Sequence, residues 1–378
     1  MKKIIFIFIL LLLFAIPLST SATEVSEELK GEIEDELSDF YSTLPPYVLE
    51  YLPNDAVNGN FSLQGSEMLN EKKIFDYVLN YLFFGLESTL KTFASVLILI
   101  IIASVFHMMS ASLENASIRL TFSFCASCVL GLSVFSVISS IGGYVTTYLN
   151  ALCESMNAFV PIMTSIEIMS GKISSAMMLN TSMMLFISII NTSLINFMLP
   201  LIKLCMMFGC IKSMGGYEFG GISKAVRTAF TSVTVFIMSI FTFIFSLKNV
   251  LAQGADTVSL KTARFAISSF VPLVGSSINE ALRTVSSSIG IIKRSCGVSG
   301  ILIVFLIVLP IIIYLILNKI SFGLLSSISK SLLNGKESCI LEEADSLCTY
   351  LLTLVSCSSV LFIIFITVFL KSSVEVGI

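Results

Sequence analysis

A chain of 378 residues could hold two or three soluble domains, but 55% hydrophobic against 12% charged residues excludes that. With a mean hydropathy of +0.95, the composition indicates an all-α, polytopic helical membrane protein. The formal charge of −3 conceals a division, with Glu24, Glu27, Glu28, Glu32, Glu34, Asp35, Glu36 and Asp39 crowded near the start and the basic residues later; no basic stripe interleaves with exposed aromatics, so nucleic-acid binding has no support.

Lys2 and Lys3 precede the uncharged run Ile4–Leu18 and then Ser19-Thr20-Ser21-Ala22. That order reads as a secretory signal peptide over residues 1–22, cut after Ala22; the alternative is an uncut first span, for which the apolar core is short. Residues 23–91 then lie on the far side of the membrane from the cytoplasm. They open with an acidic helix whose Leu29, Ile33, Leu37 and Phe40 share a stripe, followed by a loop marked by Pro45, Pro46, Pro53 and Asn58-Gly59-Asn60. Ile74 to Leu90 is amphipathic and is expected to lie along the membrane surface.

Uncharged runs long enough for a bilayer core follow at Thr92–Ser110, Leu120–Ile141, Ser175–Leu199, Thr228–Leu247, Val298–Leu317 and Leu347–Leu370. A group of spans over residues 92–247 is thereby separated from C-terminal spans over 298–378. Six is the minimum. Tyr144–Met169 is ambiguous because Glu154 and Glu167 interrupt it, and so is Pro200–Gly216, which carries Lys203 and Lys212. Counting Lys and Arg in the loops gives eight on each side for six spans and nine against seven for seven. The positive-inside rule is therefore nearly silent, and the seven-span arrangement is preferred.

Between the two groups, residues 248–297 concentrate charge. Lys261, Arg264, Arg283, Lys293 and Arg294 account for five of the chain's 22 basic residues. Two helical runs meet at Val271-Pro272-Leu273-Val274-Gly275. In the second, Ile278, Ala281, Leu282, Val285, Ile289 and Ile292 recur at intervals of three and four. The apolar stretch Phe265–Asn279 is short for a span, and Pro272 and Gly275 break it, so a re-entrant or interfacial helical hairpin is expected. Its Lys261, Arg264 and Arg283, beside Pro272 and Gly275, are the expected contacts for a partner protein or anionic lipid.

Chemistry-bearing patterns are sparse. The predicted spans contain no Asp, Glu, Lys or Arg, and H-E-x-x-H, G-x-S-x-G and G-x-x-x-x-G-K-[ST] are missing from the sequence. Cys125 and Cys128 form C-x-x-C inside an apolar run, where thiols act as small apolar groups; the single His107 offers zinc little further ligation. The methionines, eleven of 16 between Met156 and Met214, read as apolar packing. No enzyme, cofactor or metal site is expected. Glu154, Glu167, Asp256 and Glu280 are the acids near hydrophobic material and read as interfacial. A self-sufficient secondary transporter of a small solute is the alternative, since a broken helix resembles those that line transport sites.

Three stretches resemble the stage III sporulation protein AE family of endospore-forming bacteria: Asp256-Thr-Val-Ser-Leu-Lys-Thr-Ala-Arg-Phe265, Phe270-Val-Pro-Leu-Val-Gly275, and Ile291–Gly300 with its Lys293 and Cys-Gly-Val-Ser-Gly ending. The order of signal peptide, far-side region and spans is similar too. The resemblance implies a non-enzymatic subunit of a secretion-like channel complex joining mother cell and forespore, in the mother-cell membrane surrounding the forespore. Implied partners are a secretion-type ATPase, ring-forming proteins and a forespore membrane protein. It supplies no catalytic residue.

Overall fold

The computed structural model describes residue 37 and residues 39–50, 71–111, 116–191, 196–213, 220–270, 275–333 and 337–371. The expected signal peptide, residues 1–22, and the turn residues 271–274 lie outside the described residues. Among the described residues every element is a helix, in agreement with the all-α reading. After a helical turn at 39–43 come α1 (Pro46–Leu49), α2 (Glu71–Ala111), α3 (Ala116–Met169), α4 (Ile173–Ile189), α5 (Asn196–Ser213), α6 (Gly220–Phe270), α7 (Gly275–Leu332) and α8 (Ser338–Lys371).

Side-chain contacts fix the direction of each helix. Along α7, Leu306 accepts the Tyr77 hydroxyl, Asn318 donates to Thr89 at 3.4 Å and Leu332 accepts from Ser104 at 3.4 Å, so α2 runs parallel to α7. Helix α3 runs the other way, with Glu167 at Lys293, Phe159 at Gly300 and Tyr144 at Tyr314. So does α8, with Asp345 at Lys319 and Leu370 at Gly297. Phe186 of α4 meets Phe362 and Phe365, and Gly209 of α5 meets Glu343, so α4 and α5 carry the chain in one direction along α8. Helix α6 returns, with Arg227 at Glu343 and Asp256 at Ser174. The described residues thus make six passes, the third in two helices.

Five helices contain stretches long and apolar enough to cross a membrane: Phe75–Met109, Phe124–Met169, Lys224–Ser259, Ser287–Leu332 and Ser338–Lys371. Tyr144–Met169 is not a separate pass. It continues α3 without reversing, because Glu154 is exposed at the helix surface and Pro161 is accommodated within the helix. Ile74–Leu90 likewise does not lie apart as a surface helix: it is the first half of α2, and Tyr77 is fully buried against α7.

The apolar stretches do not share one level. From the α7 contacts, Val298–Leu317 lies beside the Tyr77–Thr89 part of α2 and the Tyr144–Phe159 part of α3. Thr92–Ser110 and Leu120–Ile141 are displaced along the bundle by about 20 residues, or about 30 Å at 1.5 Å per residue. Helices α7 and α8 form the core: Ile303, Val304, Ile307, Leu347, Leu351, Phe362 and Phe369 are all buried. Small buried residues, Ser356, Ser358 and Ser359 of α8 and Gly297 and Gly300 of α7, let backbones approach, the usual device where lipid removes the hydrophobic drive between helices. Ahead of α2, Phe40 packs on Phe159 with ring centroids 5.2 Å apart, and burial holds the Tyr41 and Tyr47 phenols well above their ordinary range.

Candidate functional site at the base of the basic arm

Both arms of the expected hairpin are helical, and each continues a long helix. Residues 255–270 end α6, and residues 275–292 begin α7. Lys261 is exposed, as are Val258 and Phe265 on the same arm. Arg264 and Arg283 are placed by backbone alone, one on each arm. Gly275 is the first residue of α7, and Pro272 lies outside the described residues.

The base of the arm is built from acids and a lysine that the sequence placed at an interface. Glu167 and Asp256 are instead buried, at 0% and 3% exposure. Glu154 is exposed, and the side chain of Glu280 lies outside the described residues. Glu167 follows Phe159 and Met163 at intervals of eight and four, so it falls on the apolar stripe that α3 turns to α7. There its Oε1 meets the Nζ of Lys293 at 2.8 Å, with side-chain exposures of 1% and 4%. The ammonium also sits 4.8 Å from the centroid of the Phe369 ring of α8, a cation–π contact. Lys172, itself buried, is near enough to act on Lys293 electrostatically.

Helix α3 stops at Met169, and the chain turns two residues beyond it. Gly171 takes φ 75°, the left-handed conformation open to glycine, and Lys172 donates its N–H to the Glu167 carbonyl at 3.0 Å. Helix α4 starts directly afterwards with no cap from its own N-cap residue, Lys172. Its first donors are met from another helix: the Asp256 carboxylate accepts from Ser174 N–H at 2.9 Å and from Ser175 N–H at 2.8 Å. A negative charge here also complements the positive end of the α4 dipole. The two legs of the arm are therefore clamped to the bundle, α6 by Asp256 on α4 and α7 by Lys293 on α3. That arrangement positions the length of the arm beyond them.

At the opposite end, a second polar layer ties α8 to its neighbours. Arg227 meets Glu343 at 2.6 Å, Lys319 meets Asp345 at 3.0 Å and Thr349 at 2.5 Å, and Ser127 donates to Glu337 at 3.2 Å. Sequence reasoning passed over these pairs because each joins residues far apart in the chain. The one legible sign was local, a single acid or lysine set on an otherwise apolar face, as with Glu167.

Residues 56–373 match the family described as Stage III sporulation protein AE. The chain is similar to Stage III sporulation protein AE of Bacillus subtilis (strain 168), at 20% identity over 356 residues, covering 93% of this chain and 87% of the relative. No solved structure matches.

Proposed function

We propose a role for this chain, which belongs to the stage III sporulation protein AE family, as a non-enzymatic integral membrane subunit of a secretion-like channel complex linking mother cell and forespore. The observation that supports this reading is the family match over residues 56–373, which includes all six passes and the clamped arm between α6 and α7. In this reading the chain resides in the mother-cell membrane around the forespore. It works with a secretion-type ATPase and ring-forming subunits that supply the energy and the scaffold.

The arm is the docking element of that assembly. Asp256 and Lys293 hold its legs, and the arm's Lys261, Arg264 and Arg283 supply the positive charge that meets an acidic surface of a partner subunit. Replacing the three together by Gln removes the charge without touching the buried clamp. The expected result is loss of spore formation with the chain at its normal level in the membrane fraction. Normal spore yield from that variant overturns the docking role.

A further inference from the structure

At one height along the bundle, two flanks of the protein present opposite chemistry. Helix α6 exposes Phe236, Ile240, Phe243 and Leu247, at intervals of four, three and four, with Phe236 and Phe243 each 64% exposed. Such a stripe is suited to lipid and costly against water. Its level is fixed by Phe241, which packs on Phe186 and Phe365; the neighbouring Ile366 reaches Gly300. Phe159 of α3 reaches the same glycine.

On the α3 flank at that height, the exposed line is Thr147, Asn150, Glu154 and Asn157, at intervals of three, four and three. It lies between Tyr144, packed on Tyr314, and Phe159, packed on Gly300, and so stands beside the uncharged run Val298–Leu317. At its lower end a cavity of about 270 Å³ opens between α3 and α4. Asn157, Thr164, Ser165 and Asn180 give it a polar wall, and the Asn180 Oδ1 is buried there with no hydrogen-bond partner in the protein.

A carboxylate and two amides facing outward at this height are costly against acyl chains, as the α6 stripe is against water. Helix α3 packs on α2, α4, α5, α7 and α8, and α6 packs on α4, α5 and α8, so α4, α5 and α8 stand between the two stripes. A bilayer touching α6 is compatible with the α3 line only if water reaches that flank. We infer that Thr147, Asn150, Glu154 and Asn157 border a water-filled passage at hydrocarbon depth, with the cavity at Asn180 as its continuation. Its occupant is water with dissolved ions and small polar solutes, and the single carboxylate at its centre favours cations over anions. The inference deepens the channel reading above and rests on its membrane placement.

Accessibility tests it in the full chain in native membranes. The nine native cysteines are replaced by Ser or Ala, and single cysteines are introduced by Thr147→Cys, Asn150→Cys, Glu154→Cys and Asn157→Cys, with Phe236→Cys and Phe243→Cys as the opposite flank. A membrane-impermeant methanethiosulfonate is expected to modify the four α3 positions at least tenfold faster than the two α6 positions. Equal, slow modification of both sets means lipid or close-packed protein covers the line and overturns the inference.

The chain has no Trp, which gives a second measurement with the native cysteines kept. Asn150→Trp should be quenched by aqueous acrylamide and Phe243→Trp by brominated lipid; quenching of both by the lipid alone overturns the inference. Either readout is independent of sporulation. Rapid labelling together with unimpaired spores on deletion of the chain refutes the proposed function and leaves the passage standing, and slow labelling with loss of spores does the reverse.

Discussion

Replacing Lys293 by Met tests what the buried clamp contributes. The Glu167 and Lys293 charges lie 2.8 Å apart and are almost wholly shielded from solvent. At an effective dielectric of about 20 their attraction is about 6 kcal/mol, most of it set against the cost of taking both ions out of water. Lys293→Met removes the attraction and leaves the carboxylate buried without the Lys293 ammonium, a loss of about 3–5 kcal/mol. Glu167→Leu should be comparable, since it removes the carboxylate and leaves the Lys293 ammonium buried beside that of Lys172. The double variant buries no unpaired carboxylate and should recover most of the loss.

The assay is the half-life of monodisperse protein in detergent at a fixed temperature, because polytopic proteins seldom unfold reversibly. If the loss falls on the unfolding rate, each single variant should inactivate at least about a hundredfold faster than the parent. A single variant within threefold of the parent, or a double variant no longer-lived than either single, would refute the argument.

Two further outcomes follow from the same geometry. Asp256→Ala strips the donors of Ser174 and Ser175 of their acceptor, at about 1–3 kcal/mol for each buried N–H left unmet; Asp256→Asn, which keeps one oxygen acceptor, should cost less. Amide hydrogen exchange at 174 and 175 reads this directly, and protection unchanged in the Ala variant would contradict the cap. At Gly300 an added Cβ would sit 2.7 Å from the Phe159 ring, which Phe40 already packs against. Gly300→Val should destabilise by about 1–3 kcal/mol or more through overpacking, and a half-life equal to the parent's would show that the ring yields freely.

Much of the secondary structure was legible because it is local. Uncharged runs of bilayer length and three-four periodicity marked the helices. The ends of the passes were less legible. Pro161 and Glu154 look like interruptions in sequence, yet α3 runs through both, since a proline costs a helix one hydrogen bond and a carboxylate on an exposed face costs little when water is there.

The candidate site divided along the same line. Lys261, Arg264 and Arg283 were named from their local concentration, whereas the partners that position their arm were not, because Glu167 lies 126 residues from Lys293 and Asp256 lies 82 residues from Ser174. Nothing in the neighbourhood of any of these residues encodes its partner.

By itself the sequence determined that this is a helical membrane protein, roughly where its helices run, and where its positive charge gathers, because burial preference and helical period are properties of short stretches. Only the tertiary structure decided the level at which each helix stands against the next. That level is set by sums of many weak side-chain contacts between distant segments. It turned two seemingly interfacial acids into buried anchors and set the polar line of α3 beside an apolar core.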